Sequence, residues 1–247
     1  MNEEVAALDS QSSYNNYGRY RVSRELGIPE YLQETYWWAY LHPNAVSFFE
    51  RQWLVNLILW GNFVRLRDAA LDAIGPELDG RNLQVACVYG DFSQRAASRL
   101  SDDSRLDIVD VAPVQLENVK NKVKSFDNVF LHHDDSSDLR FDDDSFDNVI
   151  VFFLLHEQPE AVRQKTVREA LRVVRPGGKV VFVDYHRPSR MNPFRYVMIP
   201  ILRLLEPFAL GLWKHEISDW VPDKDRLQSI HKETFFGSLY QKVVLVK

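Results

Sequence analysis

The chain has 247 residues, of which 30 are Lys or Arg and 35 are Asp or Glu, so its formal charge is −5. This length suits one medium α/β domain or two small ones, and it can bury a full core without disulfides. The single cysteine, Cys87, excludes an internal disulfide scaffold and indicates a reducing compartment. The acidic balance argues against a nucleic-acid partner, because non-specific binding to phosphates needs a positive field.

The first 13 residues are polar and carry three acids, so they lack the basic start and apolar centre of a secretory signal. Two apolar stretches are candidates for membrane spans, which need about 18 nearly uninterrupted apolar residues. Residues 53–64 are too short, and residues 191–213 are broken by charges and prolines. We therefore expect a cytoplasmic protein without membrane spans, in which either stretch is a candidate for an interface.

Residues 1–43 are rich in aromatic side chains and irregular in pattern. From Asn44 to Ile74 apolar residues recur at helical intervals, which predicts a helix that ends at Gly75-Pro76. We assign residues 1–74 to an N-terminal, aromatic-rich helical cover. Its close-spaced aromatics fit packing over a sheet, or alternatively a wall for a flat ligand or an interfacial anchor. The repeated apolar positions are Phe49, Trp53, Asn56/Leu57, Trp60 and Val64, and the close-spaced aromatics are Tyr36, Trp37, Trp38 and Tyr40.

Between Leu83 and Asp184 five short apolar runs alternate with amphipathic stretches. This order predicts parallel βαβ units with right-handed crossovers, and hence a doubly wound α/β sheet. In such a sheet, ligands bind beyond the carboxyl ends of the strands, near the reversal of strand order. The predicted strands are Leu83–Val88, Leu106–Val109, Val129–Leu131, Asn148–Leu154 and Lys179–Val183, and the predicted helices are Ser93–Leu100, Pro113–Lys124 and Ala161–Val174.

The predicted α/β domain covers residues 75–247. Residues 187–233, after the fifth strand, form an apolar insertion that we interpret as a lid. Thr234–Lys247 is predicted to close the sheet as a hairpin around Gly237-Ser238.

The first strand runs into Gly90, and the helix that follows presents free N–H groups to a polar ligand. Asp110 comes 20 residues later, at the end of the second strand. An acid at this point accepts both hydroxyls of a ribose in dinucleotide-type sites. The alternative is that Asp110 caps the helix beginning at Pro113.

An acidic stretch, residues 134–147, precedes the fourth strand, which is followed by His156-Glu157, a helix and Arg175-Pro-Gly-Gly-Lys179. This succession resembles the class I S-adenosylmethionine-dependent methyltransferases, over about residues 80 to 185, and in particular the type 11 group that includes ubiquinone and menaquinone methyltransferases. The resemblance implies a mostly parallel seven-stranded sheet and S-adenosyl-L-methionine as cofactor. It places Asp110 on the ribose and Asp135, or alternatively Asp134, on the adenine amino group. The remaining expected cofactor contacts are Tyr89, Gly90, Asp91, Val111, Ser136 and Phe153.

The chain departs from the superfamily pattern at the loop after the first strand. Where the superfamily has an acid and three alternating glycines, this chain has Gln84, Ala86, Val88 and, as the one glycine, Gly90. An acceptor for the amino group of the cofactor is missing, so the methionine moiety should be held differently. A non-binding pseudoenzyme would share this loss, but would have no reason to retain both nucleoside acids.

The altered loop and three further segments resemble the RquA family of rhodoquinone biosynthesis proteins, from about Tyr31 onward. The segments are Pro29–Pro43, Phe49–Asn62 and Asp184–Pro188. The resemblance implies conversion of ubiquinone to rhodoquinone, in which an amino group replaces a ring methoxy group. It also implies that S-adenosyl-L-methionine is the amino donor and that manganese takes part. We place Tyr89, Tyr185 and His186 among the expected catalytic residues.

Oxygen and imidazole ligands suit manganese, which would polarise a quinone carbonyl. Glu157, Asp184 and His186 follow the fourth and fifth strands and are expected to converge as its ligands. Alternatively, His156-Glu157 is an ordinary strand ending and His186 lines the pocket without binding metal.

The isoprenoid tail of ubiquinone stays in the bilayer, so the enzyme must reach the membrane. Residues 191–213 have the apolar content and basic edges of a segment at the headgroups, with a core helix as the rival interpretation. We expect peripheral attachment to the inner face of the membrane, and the oligomeric state stays open. Two other functions remain: a methyltransferase acting on a quinone or other lipophilic ring, and a non-catalytic cofactor-binding assembly protein.

Overall fold

The computed structural model describes residues 20–21, 27–37 and 43–247. Predictions for residues 1–19, 22–26 and 38–42, which include Trp38 and Tyr40, lie outside the described residues. The strands are β1 (Tyr20–Arg21), β2 (Arg81–Val85), β3 (Arg105–Asp110), β4 (Val129–His133), β5 (Phe146–Phe152), β6 (Val174–Tyr185), β7 (Ser229–Phe235) and β8 (Tyr240–Val246).

Nine α-helices lie in the described ranges. They are α1 (Glu30–Thr35), α2 (Pro43–Phe49), α3 (Gln52–Ile58), α4 (Phe63–Asp72), α5 (Phe92–Ala97), α6 (Pro113–Val123), α7 (Glu160–Val173), α8 (Phe194–Leu205) and α9 (Ala209–Leu212). The described ranges also contain three short 3₁₀ helices, which are Leu155–Glu157 after β5, Ile217–Trp220 and Lys224–Arg226.

The strands form one sheet in the order β1-β4-β3-β2-β5-β6-β8-β7. Strands β2 to β6 pair in parallel, whereas β8 is antiparallel to both β6 and β7. The mostly parallel seven-stranded sheet is therefore confirmed, with the two-residue β1 added beside β4. Strand order reverses between β2 and β5, where a parallel sheet opens a crevice for ligands.

The central strands are apolar along their length because helices cover both faces of a parallel sheet. In β5, Val149, Ile150, Val151 and Phe152 are all buried. The predicted hairpin at Gly237-Ser238 is confirmed, since β7 and β8 pair around this turn. The strand predicted for Leu83–Val88 is observed as β2, which ends earlier, at Val85, because Ala86 turns the chain with a φ of 72°.

The single helix predicted for residues 44–74 is wrong, because the chain forms three helices there, α2, α3 and α4. Trp60 and Gly61 end α3 with φ angles of 52° and 77°, which a continuous helix does not allow. The predicted apolar stripe lies mainly on the outside of this region. The side chains that face the core are Val55, Leu59, Phe63 and Leu66.

The N-terminal helix and the insertion meet beside the sheet. Tyr31 and Tyr36 of the α1 region both contact the ring of Phe208, with ring centroids 6.3 Å apart. Tyr36 is buried whereas Trp37 is exposed, so the described aromatics do not share one environment. The insertion holds α8 and α9 and ends before Ser229, where β7 begins. Within the described ranges, no helix combines the length and apolar character needed to cross a bilayer.

Candidate functional site

A cavity opens at the carboxyl ends of β2, β3, β4 and β5, where the strand order reverses. Each of these strands contributes its following loop, and α1 closes the cavity from above. The lining residues are Tyr31, Leu32, Ala86, Cys87, Val109, Asp110, Val111, Ala112, Gln115, Asp134, Asp135, Ser136, Phe153, Leu154 and Glu157. The cavity therefore contains seven of the site residues that the sequence predicted.

Asp110 is oriented at the cavity wall by two backbone donors. The N–H of Cys87 donates to its Oδ2 at 2.7 Å, and the N–H of Ala112 donates to its Oδ1 at 2.8 Å. Burial raises the pKa of Asp110 to about 6, although these donors oppose the shift. The helix-cap alternative is wrong, because Ala112 is the residue that precedes α6.

The two neighbouring acids after β4 have different surroundings. Asp134 is buried, and both of its carboxylate oxygens accept hydrogen bonds from Arg140, one from Nε and one from the backbone N–H, each at 3.0 Å. In Asp135, the N–H and the hydroxyl of Ser137 both donate to Oδ1, each at 2.8 Å. Asp134 therefore stabilises the conformation of its own loop through both carboxylate oxygens. The two hydrogen bonds to Asp135 engage only its Oδ1. Both acids line the cavity.

Ser136 and Phe153 complete this part of the wall. The Ser136 hydroxyl accepts a hydrogen bond from Nε2 of Gln158 at 2.9 Å and lies 3.1 Å from Oγ1 of Thr166. Phe153 has a φ of 50°, and its N–H donates to the carbonyl of Val183 at 2.8 Å. This left-handed backbone places Phe153 at the cavity and ends the pairing of β5 with β6.

The altered loop after β2 differs chemically from a glycine-rich loop. Gln84 is buried, and its Nε2 donates to the carbonyl of Ala86 at 2.9 Å. Its Oε1 meets no hydrogen-bond partner among the described residues. Ala86 adopts the left-handed φ of 72°, which glycine accepts more easily. Gln84 is therefore a buried amide that contacts the cavity residue Ala86 and does not itself line the cavity.

Tyr89, Gly90 and Asp91 lie outside the cavity lining, against the N-terminal helices. The Tyr89 hydroxyl accepts a hydrogen bond from Nε2 of Gln115 at 2.9 Å, and its ring stacks on Phe49. Asp91 Oδ2 pairs with Nη1 of Arg67 at 2.6 Å. In this structure, these three predicted contact residues fasten the loop to the helical cover.

Nζ of Lys122 donates hydrogen bonds to the carbonyls of Gly90 and Val88, at 2.9 and 3.0 Å. Gly90 has a φ of 82°, and a Cβ at this position would lie 2.9 Å from Oε1 of Gln52 and 3.0 Å from Cζ of Phe63. The glycine is therefore required by the close approach of α3 and α4.

A buried row of charged groups lies behind the cavity. Asp184 at the end of β6 accepts the N–H groups of His156 and Tyr185, and its Oδ1 lies 3.0 Å from Nδ1 of His156. The Nε2 of His156 lies 3.7 Å from Oε1 of Glu157, which lines the cavity. Burial lowers the pKa of His156, but the charge of Asp184 and the acids around it outweigh this and raise it to about 9.

Glu206, at the end of α8, also faces this row. Burial raises its pKa, whereas the charge of His156 and a hydrogen bond from Tyr36 act in the opposite direction. Tyr36 belongs to the N-terminal cover and Glu206 to the insertion. The two added segments of the fold therefore meet at the same buried charges.

The predicted metal ligands are not brought together. The Asp184 carboxylate faces His156, whereas the ring of His186 lies 2.9 Å from the carbonyl of Ser238 through Nδ1. Nε2 of His186 lies 2.9 Å from Nζ of Lys232 and 3.4 Å from Oε1 of Glu216. No three His, Cys, Asp or Glu side chains in residues 20–21, 27–37 and 43–247 are arranged to hold a metal ion.

The physical reason lies in the path of the chain after β6. The N–H of His186 donates to the carbonyl of Leu239 at 2.8 Å, so His186 continues towards the β7–β8 turn and away from Glu157. Its side chain lines a separate groove together with Arg187, Arg190 and Glu216. As described, the residues of the chain do not fit the predicted manganese site.

Tyr185, another predicted catalytic residue, is buried behind the cavity wall. Its ring packs edge-on against His156 and Phe153, with centroids 5.1 and 5.5 Å apart. Burial raises the pKa of its hydroxyl far above the usual value. Tyr185 therefore holds the positions of Phe153 and His156 and does not line the cavity.

Sequence reasoning missed several wall residues and one buried charge. The sequence places Tyr31 and Leu32 in the N-terminal cover, but no local pattern indicates that this part of the cover reaches the cavity. Cys87 and Ala112 act through backbone N–H groups, which any residue supplies. Gln115 lies in the first turn of α6 just beyond Asp110, and His156 precedes the predicted Glu157, so position alone could have identified both.

Comparisons with known proteins agree with this geometry. Residues 83–178 match the family described as a methyltransferase domain. The demethylmenaquinone methyltransferase of Staphylococcus haemolyticus is 25% identical over 205 residues, which cover 79% of this chain and 84% of that protein. The enzyme of the same name from Staphylococcus aureus strain Newman is 26% identical over 192 residues, 74% of this chain and 78% of that one.

Solved structures show the same fold at lower sequence identity. A SAM-dependent methyltransferase from Aquifex aeolicus has a TM-score of 0.56 and 16% identity, over 83% of this chain and 98% of that chain. Phosphoethanolamine N-methyltransferase 2 of Haemonchus contortus, in complex with S-adenosyl-L-methionine, has a TM-score of 0.62 and 15% identity. That match covers 90% of this chain and 60% of the other.

Proposed function

We propose that this chain, which belongs to the class I S-adenosylmethionine-dependent methyltransferase superfamily, uses S-adenosyl-L-methionine to modify the ring of a membrane quinone. The observation that carries the proposal is the contrast between two acids that line the cavity and a neighbouring position that lacks one. Asp110 and Asp135 line the cavity, whereas buried Gln84, next to the loop after β2, stands where the superfamily pattern has an acid. This contrast supports a cofactor that is bound by its adenosine and presented differently at its methionine.

At the nucleoside end, Asp110 accepts hydrogen bonds from the ribose hydroxyls while Cys87 and Ala112 keep its carboxylate in place. Asp135 accepts from the adenine amino group, with Val111 and Ser136 beside it. The ring of Phe153 and the side chain of Leu154 supply an apolar wall. All the residues named in these assignments line the cavity, which supports the proposal.

At the amino-acid end, we propose that nitrogen is the transferred atom. The cofactor supplies the amino group that replaces a ring methoxy group of ubiquinone and yields rhodoquinone. A carboxylate at position 84 would hold the amine of the cofactor as a cation, and a cationic amine is not nucleophilic. The buried amide of Gln84 does not stabilise that charge, which supports a free amine directed at the ring.

The row of Glu157, His156 and Asp184 supports proton handling in this substitution. A ring C–N bond forms as the C–O bond to the methoxy group breaks, and the proton lost by nitrogen is gained by the departing oxygen, so that methanol leaves. To leave a free amino group on the ring, the N–Cα bond of the cofactor must also break. Two electrons from that carbon pass to the quinone ring, which becomes the quinol, and an oxygen atom from water takes the place of nitrogen on the released carbon chain. Glu157 lines the cavity and is proposed to pass the proton from nitrogen to the departing oxygen. His156 and Asp184 position Glu157 from behind and keep a positive charge beside it.

The family resemblance also implies manganese, but the arrangement of Glu157, Asp184 and His186 does not supply a three-ligand site. No step of the proposed reaction therefore depends on a metal ion. Turnover is to be measured with and without added manganese, which tests the implied dependence directly.

The decisive experiment uses the purified chain, ubiquinone in detergent and cofactor labelled with nitrogen-15 in its amine and carbon-13 in its methyl group. The proposal expects an aminoquinone one mass unit heavier than the unlabelled aminoquinone, together with released methanol. Incorporation of unlabelled nitrogen, or no aminoquinone despite bound cofactor, would contradict it.

The second candidate is methyl transfer to a quinone ring, which the Staphylococcus demethylmenaquinone methyltransferases favour by their similarity. The same labelled cofactor, incubated with a demethylated menaquinone, distinguishes the two. Transfer of the carbon-13 methyl group would support this candidate. Tight cofactor binding without turnover of either quinone would support the non-catalytic assembly protein.

A further inference from the structure

Helix α8 is apolar on two opposite faces. Met198 and Leu202 point into the core, whereas Tyr196, Val197 and Leu204 are exposed, and Leu204 is 81% exposed. A surface helix normally turns a polar face to water. A helix that is apolar on its outer face as well as its inner face therefore indicates an apolar environment in addition to the core. Pro200 and Arg203 share the outer face, so one cation lies among these side chains.

The apolar stripe of residues 53–64 is also turned outward. Trp53 and Leu57 are 59% and 61% exposed, and Trp60 and Val64 are also exposed. These positions follow the helical spacing that usually marks a buried face. The core is instead packed by Val55, Leu59 and Phe63 from the other side.

The two exposed faces meet at Trp60. Its ring packs against Phe194 of α8 with centroids 4.7 Å apart, and its Nε1–H donates to Sδ of Met198 at 3.3 Å. We call the combined outer surface of residues 53–64 and α8 the apolar face. Exposed apolar patches of this kind mark sites of interaction with a membrane or a partner.

Positive charge surrounds one side of the apolar face. Residues 187–214 contain five Lys or Arg residues and one acid, a net charge of +4 in a chain whose formal charge is −5. The groove beside α8 is lined by Arg187, Arg190, Arg195 and Lys214, together with Glu216 and Asp219. Apolar side chains next to a basic groove complement a bilayer surface that carries anionic headgroups.

We propose that the apolar face docks on an anionic bilayer, with Trp53, Leu57 and Leu204 entering the interface and the basic groove contacting lipid phosphates. The basic groove next to this face favours an anionic bilayer over an apolar protein surface, which would leave those cations without partners. The proposal deepens the proposed function because a quinone with an isoprenoid tail is reached from the bilayer. Docking itself requires only lipid. The inference rests on the proposed function only in its assumption that docking gives the site access to a membrane quinone.

The test is co-sedimentation of the full chain, without quinone, with vesicles of phosphatidylcholine alone or mixed with phosphatidylglycerol. The wild-type chain should sediment with the mixed vesicles and lose binding as salt is raised. Leu57→Glu and Leu204→Glu should each weaken vesicle binding about tenfold or more, since each removes a buried leucine from the interface. Arg190→Glu and Lys214→Glu should reduce the preference for anionic vesicles.

Ile230→Glu is the matched control, because Ile230 is an exposed apolar residue of β7 outside the apolar face. Its vesicle binding should equal that of wild type. All variants should bind S-adenosyl-L-methionine normally, so a failure of docking is distinguishable from a failure of the proposed function. Wild-type chain that ignores both vesicles, equal binding by Leu57→Glu and Leu204→Glu, or self-association through this face in place of vesicle binding would each overturn the proposal.

Discussion

Nδ1 of His156 lies 3.0 Å from Oδ1 of Asp184, and both side chains are buried behind the cavity wall. In the part of the chain that the structure describes, Nδ1 finds no acceptor in hydrogen-bond geometry, so the contact is a close approach of charges in a buried site. Such a pair stabilises the protonated imidazole, and removal of one partner leaves the other charge buried without compensation.

The first prediction concerns stability and pH. The folded pKa of His156 is about 9, above the ordinary value of about 6.5. Its contribution to stability is therefore complete below pH 6.5 and is lost as pH rises towards 9. The free energy of unfolding from urea titrations should fall by about 3 kcal/mol across this window, less any opposing titrations.

His156→Gln should remove this pH dependence and should lower stability most at pH 6.5, since Asp184 is then unpaired. His231→Gln, at an exposed position of β7, is the control and should follow the wild-type curve. A His156→Gln variant with an unchanged pH profile would show that the pair does not hold a proton.

The second prediction concerns cofactor affinity. The pKa of Asp110 is raised to about 6, so this acid becomes neutral as pH falls through that value. A neutral acid accepts weaker hydrogen bonds than a carboxylate, so calorimetry should show affinity for S-adenosyl-L-methionine falling about tenfold below pH 6. Asp110→Asn should bind weakly at every pH, and an affinity equal to wild type would remove Asp110 from the ribose site.

The third prediction separates the two acids after β4. Asp134→Asn weakens the hydrogen bonds from Arg140, whose side chain is half exposed, and should cost about 1 kcal/mol in unfolding free energy. Asp135→Asn should leave stability nearly unchanged and reduce cofactor affinity about tenfold. Thermal unfolding and calorimetry on both variants give the comparison. If Asp134→Asn alone impaired binding while remaining stable, the adenine contact would belong to Asp134.

The fourth prediction concerns the altered loop. Ala86 holds a φ of 72°, which costs an L residue about 1 kcal/mol relative to glycine. Ala86→Gly should therefore raise the unfolding free energy by about 0.5 kcal/mol, after the added freedom of the unfolded chain is subtracted. Gly90→Ala should act in the opposite direction, because its Cβ would lie within 3.0 Å of Gln52 and Phe63. Denaturant midpoints for the two variants that shift in the same direction would contradict this interpretation.

The sequence determined the elements of the sheet, because hydrophobic period and turn residues act over a few neighbours. The strands that contain Leu106, Val129 and Asn148 and the helix at Pro113 lie where their patterns predicted. Asp110 and Asp135 were also predictable as cavity residues, since the ends of parallel strands meet at one edge.

Only the tertiary structure decided which side chains complete the site and which way the apolar helices face. Tyr31 reaches the cavity and His186 leaves it because each position depends on packing between segments far apart in the chain. The spacing of Trp53, Leu57 and Trp60 defines an apolar stripe, but periodicity does not indicate whether the stripe faces the core or the solvent. The direction depends on competition with Val55, Leu59 and Phe63 for places in the core. The outcome of that competition is decided only when the helices pack on the sheet.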